Sequence, residues 1–311
     1  MQIKSLSQVS SVLALPFVFV VFYFLRVLSN GHALNQLIPG WHTLAIIATM
    51  ILLERIYRYR HAISQKYVLA RDITSTIVNL YVTAAIAGMI FLPAFVFFPE
   101  LFFERPVLIA SPEQLGPFWL QVILSLSLVS FFRYWMHRMQ HKFSFLWELH
   151  SYHHRVTDIR ASNLLVSHPI DFALRNVLVF YVLAIVGFDP FAILIGVTTL
   201  QVSSAFSHCG GDVKGGFLNY IFVTPEVHRW HHSVKVPKGH KYSVNYGVGF
   251  IVWDILFGTF YLPKKKGEHP EQPERLGHPS GLPDEKNYVK LLLEPLGLYR
   301  PLRWFKRTQS G

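Results

Sequence analysis

Residues 131–154, FFRYWMHRMQHKFSFLWELHSYHH, decide how this chain folds, because an apolar segment runs straight into closely spaced histidines. Such spacing recurs in three clusters: His137 and His141; His150, His153 and His154; and His228, His231 and His232. Side chains three or four residues apart share one face of a helix, so each cluster predicts a helical face of imidazoles. The clusters hold eight of the sixteen histidines and predict a metal site.

The composition is that of an integral membrane protein. The 311 residues are 51% hydrophobic and 15% charged, with a mean hydropathy of +0.32, which is too apolar for an ordinary soluble domain. The net charge of +11 does not predict a nucleic-acid partner, because the basic residues lie beside apolar segments and in the tail. The single cysteine, Cys209, excludes an internal disulfide and a Cys-ligated iron–sulfur cluster.

Four apolar stretches, at 12–25, 33–53, 73–98 and 117–132, can each cross or nearly cross a bilayer. A fifth apolar region, 169–206, is interrupted at Gly187-Phe188-Asp189-Pro190, where Asp189 is an N-cap and Pro190 the first helical position. That region therefore predicts a hairpin of two helices. The expected fold is an all-α integral membrane protein with about four transmembrane helices, a membrane-associated hairpin and a histidine-rich helical cap.

Loop charges predict the orientation. The connections at 54–71 and 133–160 are basic, whereas 99–116 carries three glutamates against a single arginine. By the positive-inside rule the two basic connections face the cytoplasm. Counting crossings from there places all three histidine clusters on the cytoplasmic side, in either a bacterial inner membrane or the endoplasmic reticulum.

The eight imidazoles exceed what one metal ion can use, because a zinc or iron ion takes about four to six ligands. A dinuclear site is the economical interpretation; zinc would serve structure, and iron would bring oxygen chemistry. No cluster contains the Glu-x-x-His pair of carboxylate-bridged di-iron bundles. The ring nitrogens that do not bind metal need acceptors, and the candidates are Glu148, Asp158, Asp212, Glu226 and Asp254. Each is alternatively an ordinary surface or cap carboxylate.

The order and spacing of the three clusters resemble the membrane-bound fatty acid hydroxylase and sterol desaturase superfamily. Further similarity lies in TPEVHRWHHS at 224–233, in Asn245-Tyr246-Gly247 and in WDILFGTF at 253–260. The resemblance covers roughly 118–262. It implies three regions: N-terminal transmembrane helices at 1–116, the catalytic domain at 117–262 and a basic interfacial tail at 263–311. A disordered basic tail is the alternative for the last.

The resemblance implies an oxidoreductase that uses two iron ions and O₂ to hydroxylate or desaturate an unactivated C–H bond of a membrane lipid. Sterols, fatty acyl chains, sphingoid bases and ether lipids all remain open. It adds His208 to the eight cluster histidines as a metal ligand. Asp212 stands where some members carry a further histidine, and His168 either lines the site or caps the membrane interface. Asn245 joins Glu148, Glu226 and Asp254 as residues expected near the metals.

The electrons are expected from outside the chain, because the sequence has no flavin, nicotinamide or haem-binding motif. A cytochrome b5-type or ferredoxin-type donor with its reductase is the expected partner. Four basic residues near the clusters could bind an anionic headgroup or an acidic donor, or reflect topology alone: Arg133, Arg138, Arg155 and Arg229. The alternative function is a membrane metal-binding or transport protein, which would carry ligands near the midplane of broken helices.

Overall fold

A computed structural model of the chain describes residues 41–56, 66–97, 112–263, 270–285 and 287–295. The apolar stretch at 12–25 and the basic residues at 264–266 and 303–307 lie outside the described residues. Within the described part the secondary structure is helical, with two isolated β-bridges and no strand. The predicted all-α class is confirmed for these residues.

Nine α-helices are described, and they are numbered here in chain order. They are α1 Trp41–Ile56, α2 Lys66–Phe97, α3 Phe118–Lys142, α4 Ser144–His150, α5 Pro169–Val186, α6 Pro190–Ser207, α7 Pro225–His231, α8 Val252–Leu256 and α9 Tyr288–Leu293. Short 3-10 turns, among them His153–Arg155 and Ala161–Asn163, connect some of them.

Helix α3 is the central element of the fold. It begins after Pro117, whose backbone is extended. Its last turn contains His141 and Lys142, and the positive charge of Lys142 is favourable at the negative end of the helix dipole. It packs against α6 so closely that a Cβ on Gly196 would lie 2.7 Å from Ser125 Oγ and 3.2 Å from the backbone N of Leu126. A glycine is therefore required at the crossing.

The turn predicted between α5 and α6 is present, and both helices pack against α3. Gly187, the residue after the end of α5, has a φ of 89°, which few residues other than glycine adopt. Asp189 Oδ1 then accepts hydrogen bonds from the backbone N of Phe191 at 2.8 Å and of Ala192 at 3.1 Å. This N-cap, with Pro190 at the first turn, starts α6 as the sequence predicts.

Two described helices, α3 and α6, are long and apolar enough to cross a membrane by length and composition. The number of four crossings and the cytoplasmic orientation stay predictions. Helix α2 begins at Lys66, before the predicted apolar stretch, and so takes in part of the connection expected at 54–71. Its Arg71 and Asp72 are both buried, and they tolerate burial because they form an ion pair at 2.7 Å.

The C-terminal residues that are described dock on the histidine-bearing part of the chain. Arg71 of α2 pairs with Asp284, and the Glu294 carboxylate accepts hydrogen bonds from Arg155 at 3.0 Å and from the hydroxyl of Tyr152 at 3.1 Å. The segment around Glu294 thereby packs on the second histidine cluster, about 140 residues away in sequence.

The crossing of α3 and α6 gives a first prediction. Gly196→Ala should lower the free energy of unfolding by about 1–3 kcal/mol, because the added methyl group meets the α3 backbone, which cannot rotate away. Thermal unfolding in detergent measures the loss. Thr199→Ala, on the same helix, is the control and should change stability by less than about 0.5 kcal/mol. Equal melting temperatures for Gly196→Ala and the parent would contradict this close contact.

Candidate metal centre

The nine histidines predicted as ligands lie together in the structure, in two groups. The five-histidine group contains His137, His141, His150, His154 and His231, and the four-histidine group contains His153, His208, His228 and His232. Within each group the candidate ligand atoms lie within 4.8 Å of one another, and all nine residues are buried. This arrangement is what two adjacent metal sites would need; the role of each histidine as a ligand stays a prediction.

Several elements deliver these side chains. His137 and His141 are on the last turns of α3, His150 ends α4, and a 3-10 turn carries His153 and His154. His208 follows the last residue of α6 as its C-cap. The third cluster is on α7, which starts as predicted with Thr224 as N-cap and Pro225 in the first turn.

Backbone carbonyl groups fix the tautomer of three imidazoles. His137 Nδ1 lies 2.8 Å from the carbonyl O of Tyr246, and His231 Nδ1 lies 2.7 Å from that of Val244. His153 Nδ1 lies 3.2 Å from the carbonyl O of Val166. Because a carbonyl oxygen only accepts, each Nδ1 carries the proton and donates it, which leaves the Nε2 lone pair free to bind a metal.

Side-chain oxygens do the same for two further imidazoles. His150 Nδ1 lies 3.3 Å from Asp171 Oδ2, and His208 Nδ1 lies 3.3 Å from Asn163 Oδ1. The orientation of the Asn163 amide follows from its other bonds, since its Nδ2 donates to the carbonyl O of Asp158 at 2.7 Å. Five of the nine histidines thus have an acceptor at Nδ1.

One pair of Nε2 atoms meets without a proton to share. His137 Nε2 lies 3.1 Å from His150 Nε2, and both rings already donate from Nδ1. Burial lowers the pKa of His150 well below 6.5, so a proton does not bridge the two lone pairs at neutral pH. A cation between His137 and His150 would relieve the repulsion of their lone pairs. The Nε2 atoms of His231 and His154 approach to 3.1 Å and those of His228 and His208 to 2.9 Å; in these pairs only His231 and His208 have an Nδ1 acceptor among the described residues.

The remaining electrostatics fit a metal in the same way. Burial lowers the pKa of His208 to about 3 and that of His231 to about 4, so both rings are neutral at pH 7, as metal binding would require. Both ring nitrogens of His232 are buried, and neither has a hydrogen-bond partner among the described residues. Buried polar atoms are seldom left without a hydrogen-bond partner, and a metal ion would bind one of these two nitrogens. Imidazole ligands suit iron as well as zinc.

Asp171 is a residue of the site that sequence reasoning missed. It lies in the first turn of α5 and is 1% exposed, and it accepts hydrogen bonds from Gln140 and from His150. It also forms an ion pair with Arg175 at 2.9 Å. An acidic residue at the start of an otherwise apolar stretch was the available signal, because a buried carboxylate needs partners of this kind.

Asp254 and Asn245 lie behind the carbonyl groups rather than against the imidazoles. The Asp254 carboxylate accepts from the backbone N of Tyr246 at 2.7 Å and of Gly247 at 2.6 Å, and from Thr259 Oγ1 at 2.7 Å. Asn245, with a φ of 55°, donates to the carbonyl O of Val227 at 3.0 Å and of Tyr261 at 2.8 Å. Both residues hold the loop whose carbonyls face the histidines.

The two glutamates expected near the metals are placed differently. Glu226 is buried, and its carboxylate accepts from the backbone N of Gly215 at 2.8 Å and from Asn219 Nδ2 at 2.9 Å, rather than from a histidine ring. Glu148 is half-buried, and its pKa is raised by burial and by the charge of Glu294 against the opposing effect of Arg155. Neither belongs to either histidine group.

Three further candidates also lie outside the two groups found among the described residues. Asp158 forms an ion pair with Arg160 and Asp212 one with Lys214, and both aspartates are 43% exposed. His168 is buried, its Nδ1 accepts from the backbone N of Ile170 at 3.2 Å, and its Nε2 lies 3.2 Å from the carbonyl O of Leu292. This position ties α5 to the C-terminal segment.

Buried neutral imidazoles in two adjacent groups, at the end of a long apolar helix, define a protein with a histidine-rich metal centre and membrane-type helices. Residues 122–259 match the family model described as fatty acid hydroxylase. This match, over less than half of the chain, supports the resemblance to the fatty acid hydroxylase and sterol desaturase superfamily that the sequence motifs predict. No solved structure matches the chain.

Three relatives are similar over this part of the chain. The ornithine lipid hydroxylase OlsE of Rhizobium tropici is 36% identical over 155 residues, 50% of this chain and 45% of the relative. The alkylglycerol monooxygenase of Homo sapiens is 29% identical over 44% of this chain and 30% of its own length. Sphinganine C4-monooxygenase 1 of Arabidopsis thaliana is 27% identical over 46% of this chain and 54% of its own length. The chain thus spans about half the length of these relatives or less.

Asp171 gives a prediction for the metal centre. Asp171→Asn should lower metal affinity by about 10- to 100-fold, because one carboxylate oxygen that accepts hydrogen bonds becomes an amide donor. Iron retained after dialysis against graded chelator concentrations measures the effect. The control, Asp158→Asn, removes an exposed carboxylate and should retain iron like the parent. Unchanged retention by Asp171→Asn would show that this carboxylate does not support His150.

Asp254 gives a second prediction. Asp254→Asn should lower the free energy of unfolding by about 1–3 kcal/mol, because an amide NH₂ would face a backbone N–H donor inside the protein. Thermal unfolding in detergent measures this loss, and iron content reports the displacement of the Tyr246 carbonyl. Glu274→Gln, which removes a fully exposed carboxylate, is the matched control and should behave like the parent. A parental melting temperature for Asp254→Asn would refute the role of this network.

Proposed function

We propose that this protein is a membrane-bound, O₂-dependent non-haem di-iron lipid hydroxylase. One observation carries the metal part of the proposal: the Nε2 atoms of His137 and His150 lie 3.1 Å apart while both rings donate from Nδ1. Two adjacent groups of such nitrogens favour two ions over one. The resemblance to the superfamily favours iron over zinc.

The residues present fit two metal ions. The five-histidine group would hold one ion and the four-histidine group the other, with His208 completing the second. Bound iron supplies the activation of O₂ for insertion of an oxygen atom into a C–H bond. The chain's own part is to keep each Nε2 deprotonated, to fix each ring through its Nδ1 acceptor, and to bury the site away from bulk water.

Hydroxylation is favoured over desaturation by the relatives, because the three described above are named as a hydroxylase or as monooxygenases. The same names favour an enzyme over the metal-transport alternative. We take an ornithine lipid as the first substrate to test, followed by an alkylglycerol and by sphinganine. Electrons would come from a separate cytochrome b5-type or ferredoxin-type donor, and the histidine groups would face the cytoplasm.

The function is tested by isotope labelling. We expect that cells expressing the full chain under ¹⁸O₂ gain a lipid with one labelled oxygen, found by mass spectrometry of the total lipid extract. We expect purified protein to hold about two irons per chain. His153→Ala and His231→Ala each remove a ligand of one group, so each should lose iron and abolish the labelled product.

The control for this experiment is His240→Ala. His240 lies outside both histidine groups and its ring packs against Tyr261, so this variant should keep iron and product. A desaturated lipid without label would show that the reaction is desaturation rather than hydroxylation. Parental amounts of labelled lipid from the His153→Ala/His231→Ala double variant would refute the proposed enzyme.

A further inference from the structure

Arg133 is a half-buried cation one helical turn from the five-histidine group. It precedes His137 by four residues, so the two side chains share a face of α3 and lie roughly 6 Å apart along its axis. Its Nη2 donates to Asn176 Oδ1 at 2.5 Å. Its Nε is buried and has no hydrogen-bond partner among the described residues.

A second guanidinium lies beside it. Arg175 of α5 is close enough to repel Arg133, and it forms an ion pair with Asp171 at 2.9 Å. Asp171 is already committed to His150 and Gln140. Arg175 therefore has a carboxylate partner, whereas Arg133 has none among the described residues and lies beside a like charge. An unpaired charge inside a protein is costly, which indicates that an anion binds here.

Arg133 combines two features that the other three arginines near the histidine clusters do not combine: a buried Nε without a hydrogen-bond partner, and no carboxylate partner among the described residues. Arg155 also has a buried Nε without a partner, but it pairs with Glu294 at 3.0 Å. Arg229 donates to the carbonyl O of Gly211 at 2.8 Å, and Arg138 donates to the hydroxyl of Tyr134 at 3.1 Å. Arg133 has only the neutral amide of Asn176. The anion therefore belongs at Arg133 rather than elsewhere on the basic surface.

Arg133 and Arg175 lie between the histidines and the apolar parts of α3 and α5. Helix α3 approaches the histidines from its apolar end, and Arg133 comes one turn before His137. Helix α5 leaves the histidines, and Arg175 comes one turn after Asp171. Both cations thus lie on the side of the metal centre from which the apolar segments come. A lipid that enters from those segments meets the cations before it meets the histidines.

Building on the proposed lipid hydroxylase function, we propose that Arg133, with Arg175 and Asn176, binds the anionic group of the lipid substrate, a carboxylate or a phosphate. A guanidinium group matches both anions through two parallel hydrogen bonds. Because α3 fixes the separation between Arg133 and His137, it also fixes which carbon reaches the metals. The hydroxyl group enters near the polar head, within a few bonds of the anion, rather than at the far end of the acyl chain.

Binding of a matched lipid pair tests the inference without turnover. N-Oleoylglycine carries a carboxylate, and its methyl ester differs only in losing that charge. We expect the full-length protein in detergent to bind the acid about tenfold more tightly than the ester, measured with radiolabelled lipid. Arg133→Gln should abolish this preference, and Arg133→Lys should retain part of it because the charge remains.

The matched control is Lys142→Gln, which removes one positive charge from the exposed end of the same helix and should keep the full preference. Thermal unfolding checks that Arg133→Gln is folded, and Arg175→Gln provides a second variant that should weaken the preference. An unchanged preference in folded Arg133→Gln overturns the inference. Displacement of N-oleoylglycine by an equal amount of dioleoylphosphatidylglycerol would support the anion site and show that it accepts a phosphate as well as a carboxylate.

The outcome is separable from the proposed function. Protein that prefers the acid but hydroxylates no lipid under ¹⁸O₂ contradicts the enzyme and leaves the anion site supported. Protein that hydroxylates uncharged alkylglycerol and an anionic lipid equally well, with no effect of Arg133→Gln, supports the enzyme and overturns the anion site. Fragmentation of the labelled product locates the hydroxyl group, and a position remote from the anion counts against the inference.

Discussion

The structure depends on one constraint: nine imidazoles are buried together, and at least five of them turn an Nε2 lone pair inward. Such an arrangement is unfavourable unless each ring has an acceptor on its outer nitrogen and a cation on its inner one. The outer acceptors are visible for five rings, and three of them are backbone carbonyls, those of Tyr246, Val244 and Val166. The residues around the histidines therefore serve largely to position these backbone carbonyl groups.

The loop around Asn245 shows how far this requirement extends from the histidines. Asn245 takes a positive φ, and its side chain binds backbone groups of Val227 and Tyr261. Asp254 accepts hydrogen bonds from the next two backbone N–H groups. Through these bonds two carbonyls on either side of Asn245 point at histidines of the five-histidine group. Asn245 and Asp254 act on the site through the backbone and need no contact with a metal.

The sequence predicted the parts of the site that side-chain spacing encodes. The three clusters were identified because i, i+3 and i+4 spacing is a property of the helix, and the turn before α6 because Asp189 and Pro190 define a helix start. The carbonyl acceptors could not be predicted, since every residue has a carbonyl group and only the tertiary fold selects three of them. Asp171 was missed for a related reason: its partner His150 lies on a different helix, so no spacing connects them.

Proximity in sequence also misled where helix geometry decides. Glu148 and Glu226 each stand two residues before a histidine, which places them about 200° around the helix from it, on nearly the opposite face. Glu226 accordingly binds Gly215 and Asn219. A carboxylate three or four residues from the histidine would have shared its face.

The same geometry gives α3 a role that extends beyond carrying two histidines. A continuous helix keeps its residues at fixed separations, because each residue adds about 1.5 Å along the axis and 100° around it. In α3 that regularity links three features in sequence: the contact with Gly196 of α6, the guanidinium of Arg133 and the ring of His137. A shift of the helix crossing would move the cation and the ring together and leave their separation unchanged. The distance between a bound anion and the metal centre is then a property of one helix, whereas the depth of the lipid chain depends on how α3 and α6 pack.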